Sequence, residues 1–140
     1  MNTELFSHIN WLAVIVAAIV YFMIGGLWYS KALFGPTWAS LLKIDMNDAN
    51  AKKGVGAIMF YSFIMMLFTV IGLAILVTRI DVVLLSGAIK LGLVTGLLIA
   101  VTSVSISFVY EKKPTALYFI TGGYLLVGNI AAAIILVLWR

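Results

Sequence analysis

Four stretches of this chain run without a single Asp, Glu, Lys or Arg: residues 9–30, 54–78, 91–110 and 115–139. A helix needs about 20 mostly apolar residues to cross roughly 30 Å of hydrocarbon, and each stretch is long enough. None alternates with a period of two, and all exceed the roughly 9–11 residues of a barrel strand. Soluble domains are about 45–50% apolar and about 25% charged. Here 64% of 140 residues are hydrophobic and 10% charged, more greasy surface than one small core hides. The sequence therefore predicts an all-α polytopic membrane protein with four transmembrane helices in a bundle. Residues 1–140 form a single domain with spans at about 9–30, 55–78, 83–110 and 115–139, and the lipid bilayer is its expected partner.

With four spans, the two ends of the chain and the Arg79–Asp81 turn share one side, which holds Arg79 and Arg140. The other side holds Lys31, Lys43, Lys52, Lys53, Lys112 and Lys113. Basic loops stay in the cytoplasm. Both termini are thus expected outside the cytoplasm, with loop 31–54 inside, in a cell (inner or cytoplasmic) membrane. Trp11 and Trp139 then sit at the outer interface, and Trp28, Tyr29, Tyr110 and Tyr118 near the inner one, where amphipathic rings prefer to lie. The opening MNTELFSH has no Lys or Arg, unlike the basic start of a signal peptide, so the first span is expected to be retained. In the loop, Pro36 suits the first turn of a short helix, and Asp45 and Asp48 have the character of helix N-caps.

Several chemistries find no support. The net charge of +4 is scattered, with no basic block interleaved with aromatics to suggest a nucleic-acid surface. There is no cysteine. All five acids, Glu4, Asp45, Asp48, Asp81 and Glu111, fall at termini or in loops, whereas proton-coupled transporters keep an ionisable acid or histidine in mid-membrane. His8 has only Glu4 one turn back, short of the roughly four ligands of a closed metal site. The expectation is a protein that is not an enzyme and has no catalytic residue, metal or cofactor.

The polar residues inside the spans are the candidates for function: Lys90, Thr95, Thr102, Ser103 and Asn129. If the third helix starts at Val82, Lys90 lies about 12 Å along it, and an intramembrane charge there marks a functional site. If residues 91–110 span alone, Lys90 sits at the boundary and its stem snorkels to the headgroups. At 100° per residue, Ala88, Gly92, Gly96 and Ala100 form a ladder of small residues with Thr95, Thr102 and Ser103 alongside, the expected face for close helix packing. Lys90 points roughly the other way, which favours snorkelling. Asn129 needs a hydrogen-bond partner on another helix, while the threonines can bond carbonyls of their own helix.

Three quoted stretches carry a resemblance: NWLAVIVAAIVYFMIGGLWYSKALFGPTW (10–38), YEKKPTALYFITGGYLLVG (110–128) and the apolar layout between them. Together they resemble the bacterial membrane-protein family known as domain of unknown function 1761. The matching positions are Asn10-Trp11, Trp28-Tyr29-Ser30, Leu33-Phe34-Gly35 with Trp38, Glu111 with Pro114, and Gly123-Tyr124. The resemblance implies a four-span bacterial membrane protein and brings no established activity. Two functions stay open beside an unassigned one. One is a homo-oligomeric channel or facilitator for a small solute or ion, using Asn129 and the Ser/Thr-rich third span. The other is an adaptor that binds protein partners through loop 31–54, with Phe34 and Trp38 as contacts.

Overall fold

The structure, a computed structural model, describes residues 4–140; Met1–Thr3, the start of the segment weighed as a signal peptide, lie outside the described residues. A single turn, α1 (Glu4–Ser7), precedes the first long helix, α2 (Trp11–Trp28). A short α3 (Gly35–Leu41) and a 3₁₀ turn (Ala49–Lys52) form the loop. The second span is α4 (Val55–Arg79). The third combines α5 (Leu85–Leu93), a π-helical segment (Val94–Val101) and α6 (Thr102–Tyr110). The fourth is α7 (Thr115–Leu138). The architecture is all-α, with four helices long and apolar enough to cross a membrane.

α7 is the hub. It packs against α2, α4 and the third span, and α2 also packs against α4. The small side chains explain why α2 can approach so closely. Ala13, Ala17, Tyr21 and Gly25 recur every four residues and are all buried, with Val14 and Ala18 alongside. They meet Val70, Leu73, Ala74 and Val77 of α4 and Ala132, Leu136 and Val137 of α7. Lipid offers no hydrophobic gain for burying these groups against each other, so close van der Waals contact between small residues holds the helices together.

The end where the α2 N-terminus meets the α7 C-terminus is tied. Asn10 caps α2 by accepting the Ala13 N–H at 3.1 Å, and its amide donates to the Trp139 carbonyl at 3.1 Å. Arg140 donates to Asp81 at 2.8 Å and to the Val82 carbonyl at 3.3 Å. Of the two expected caps in the loop, Asp48 caps the 3₁₀ turn by accepting from Asn50 N–H, whereas Asp45 accepts from Asn47 N–H in a turn that starts no helix.

The small-residue ladder faces α7. Ala88, Gly92 and Gly96 are buried, and a Cβ on Gly92 would lie 2.5 Å from the Ile130 Cα. The close pairing raised by the sequence is therefore made within one chain. The ladder does not continue as ordinary α-helical geometry predicts. Eleven residues at 100° would return Ser103 to the line of Gly92, yet Ser103 and Thr102 are exposed. The π-helical segment widens the turn and delays the rotation by about one residue. Val101 consequently faces Gly122, and the Phe108 ring stacks edge-on against Tyr118 at 5.4 Å.

Lys90 is exposed. The 26-residue third span is about 39 Å long, some 9 Å more than the hydrocarbon. Centring it puts the Lys90 Cα only about 3 Å inside the boundary, well within reach of a snorkelling stem. In the cysteine-free chain, Lys90→Cys should react with a membrane-impermeant maleimide added on the side of the Arg79–Asp81 turn, and Asn129→Cys should stay unmodified. Equal labelling of both positions would overturn this placement.

Candidate functional site

The end of α2 builds the site. Beyond Trp28 the chain doubles back, with Phe34 N–H bonding the Trp28 carbonyl at 2.9 Å and Gly35 N–H bonding the Ser30 carbonyl at 3.0 Å. A Cβ on Gly35 would strike the Tyr29 and Ser30 carbonyl oxygens, so this reversal needs glycine. It lays Phe34 against Trp28 (ring centroids 4.9 Å) and Trp38 against Tyr29 (5.6 Å). The Trp28 indole N–H reaches across to the Ile120 carbonyl at 2.8 Å. Its ring lies over Gly123, where a Cβ would come within 2.8 Å.

From Trp38 a column of rings descends into the membrane. Tyr29 meets Tyr124 at 5.5 Å, and Tyr124 meets Tyr21 at 5.4 Å. The two deeper rings each rest on a glycine of a neighbouring helix: Tyr124 over Gly25, and Tyr21 over Gly128. The column ends at Asn129, only 1% exposed. The Asn129 amide donates to the Tyr21 hydroxyl at 3.1 Å and to the Leu125 carbonyl at 2.8 Å. Tyr124 donates to the Met66 sulfur at 3.4 Å. Among the described residues no buried side-chain nitrogen or oxygen lacks a partner. Asn129 therefore joins α2 to α7, the cross-helix bond that an amide in lipid requires.

Beside this column runs a groove of about 500 Å³. Its outer wall is one face of α4, with Ile58, Tyr61, Ser62, Met65, Met66 and Thr69 spaced three and four residues apart. Tyr21, Tyr124 and Leu125 form the inner wall. The groove exists because α4 packs only along its later half. Residues 55–61 are all exposed, whereas Val70, Leu73, Ala74 and Val77 are buried. Ile58, Tyr61 and Met65 stand exposed along its rim, so it opens toward the hydrocarbon.

The sequence-derived candidates are scattered rather than gathered. Asn129 belongs to the ring column. Thr95 is buried, and its hydroxyl donates to the Leu91 carbonyl at 2.9 Å. Thr102 is exposed and bonds the Leu98 carbonyl at 2.7 Å, while Ser103 and Lys90 are exposed on the third span. Ala100 is half-buried. Tyr21, Tyr61, Ser62 and Met66 were not singled out from the sequence. The recurrence of Tyr61, Ser62 and Thr69 on one α4 face was a signal available there. Among the described residues no cluster of three His, Cys, Asp or Glu could hold a metal ion.

The model of the family described as "Protein of unknown function (DUF1761)" matches residues 12–137. The chain belongs to this family. The match takes in most of the first and last spans and all of the other two, together with the motif residues Trp28, Tyr29, Phe34, Gly35, Trp38, Gly123 and Tyr124. In this DUF1761 protein those seven converge on the one aromatic column, although almost ninety positions separate Phe34 from Gly123. Asn10 and Trp11 precede the matched range and sit at the opposite end. No curated protein and no solved structure matches the chain.

Proposed function

We propose that the protein is a membrane-embedded binding protein that takes a lipid-soluble, oxygen-bearing molecule sideways from the bilayer into the α2–α4–α7 groove. The observation that carries this reading is the groove itself. Its volume of about 500 Å³ falls within the roughly 300–1,000 Å³ of small-molecule sites. Apolar side chains and methionines supply adaptable contact, and the Tyr61, Ser62 and Tyr124 hydroxyls supply a few oriented polar groups. The walls offer hydroxyls and thioethers but no carboxylate or imidazole, so we read the site as a binding site without catalysis.

Two observations favour this reading over the others raised by the sequence. A channel needs its polar groups in file, whereas the Asn129 amide is occupied by Tyr21 and Leu125 and Thr102 faces outward. An adaptor loop needs free anchors, whereas the Phe34 and Trp38 rings lie on Trp28 and Tyr29. The lysine bias supports termini outside the cytoplasm, so the groove opens into the cytoplasmic leaflet.

A long-chain alcohol bearing a diazirine tests the proposal in reconstituted vesicles. Cross-links should concentrate on peptides around Tyr61–Met66 and Tyr124, and Met65→Trp, which fills the groove, should remove them while leaving the thermal melt intact. Cross-links spread evenly over all four spans, unchanged by Met65→Trp, would sink it.

A further inference from the structure

We infer that the occupant of the groove is one acyl chain of an anionic phospholipid from the leaflet on the lysine-rich side, with its headgroup held by Lys52 and Lys53. This deepens the binding reading above and depends on it. Length is the first argument. From Ile58 to Thr69 the groove follows α4 for eleven residues, about 16 Å, which is half of the roughly 30 Å hydrocarbon thickness. Position is the second. The 25-residue α4 is about 37 Å long, so centring it leaves some 4 Å outside the hydrocarbon at each end. Ile58 then lies at the hydrocarbon edge and Thr69 near the midplane. The groove therefore has the length and depth of a single leaflet.

Charge is the third argument and fixes the headgroup. Lys52 and Lys53 immediately precede α4 and are exposed. Gly54 turns the chain there with φ of +75°, and centring α4 puts the lysines that precede it on the headgroup side of the hydrocarbon. Lys53 stands two residues before the start of α4, and Ile58 only about 4.5 Å of helix rise beyond that start. Anionic headgroups are drawn to such juxtamembrane lysines. Tyr61, about one turn below Ile58, is long enough to carry its hydroxyl back toward the ester carbonyls, because helical side chains lean toward the N-terminus. A tail with a negative head matches a greasy slot crowned by cations.

The test is electron paramagnetic resonance on the full chain in vesicles carrying spin-labelled phosphatidylglycerol or phosphatidylcholine. The wild type should hold a motionally restricted lipid with a preference for phosphatidylglycerol. Lys52→Glu with Lys53→Glu should abolish that preference while leaving phosphatidylcholine retention unchanged. The same charge reversal at Lys112 and Lys113, in the turn before α7, should leave the preference intact. Met65→Trp should abolish retention of both lipids. Equal loss of preference from both lysine pairs would reduce the effect to general surface charge and overturn the inference. So would a preference that survives Lys52→Glu with Lys53→Glu; in that case a Met65→Trp loss of the diazirine alcohol would keep the groove as a binding site for a different molecule. Unchanged lipid retention and unchanged alcohol cross-linking in Met65→Trp would remove both readings.

Discussion

Gly92→Ala should loosen the third span from α7 and lower the thermal stability of the protein in detergent by about 2–3 kcal/mol, the upper part of the range for overpacking. A methyl group there meets the Ile130 Cα at 2.5 Å and its nitrogen at 2.9 Å. Backbone atoms of a helix cannot rotate aside as a side chain can, so the two helices must separate. Separation spreads the loss, because Ala88 is fully buried and a Cβ on Gly96 would already lie 3.1 Å from the Leu126 Cα. Gly72→Ala is the matched control. Gly72 lies in α4 with nothing within 4 Å of a built Cβ, and alanine in a helix interior gains about 0.5–1 kcal/mol over glycine. The two substitutions are chemically identical and should move the melt in opposite directions. Equal shifts would mean that the third span is not held by this contact.

The membrane architecture was legible because its cause is one-dimensional. Uncharged runs of the right length need no partner to be recognised, and the four spans follow the four runs. The packing face of the third span was legible as far as Gly96, since small residues at four-residue spacing need only helical geometry. It failed at Ser103 because the π-helical segment is set by how α5 and α6 both settle onto α7, and no residue in VTGLLIAV announces it. The groove was not legible at all. It depends on where α4 stops touching its neighbours, a relation between helices rather than a property of any one. Asn129 lies between these cases: its need for a partner could be read from the sequence, but Tyr21, 108 residues away, could not. The family motif shows the same limit. Its residues were recognisable as a pattern, and only the fold gives the pattern a reason, as rings resting on glycines.

The same packing on glycine holds Trp28, beside the column, between the loop and α7. Lipid is as apolar as the ring, so removing Trp28 forfeits little hydrophobic transfer energy. What is lost is packing against Phe34 and Gly123 and the hydrogen bond to Ile120. Large-to-small substitutions in water-soluble cores cost about 3–5 kcal/mol, transfer energy included, so the half-buried Trp28 should fall below that range, at about 2 kcal/mol. Trp28→Phe keeps an aromatic ring and loses mainly the indole N–H bond, worth about 1 kcal/mol. The two variants differ in a second, local readout. Phe34 is the N-cap of α3 and leans on the Trp28 ring, so Trp28→Ala should release the loop and speed proteolysis within residues 31–54 several-fold. Trp28→Phe should leave that rate near the wild-type value. A loop cut at the same rate in all three proteins would show that α3 is anchored by something other than this ring, and the column would lose its role as the link between the loop and the membrane interior.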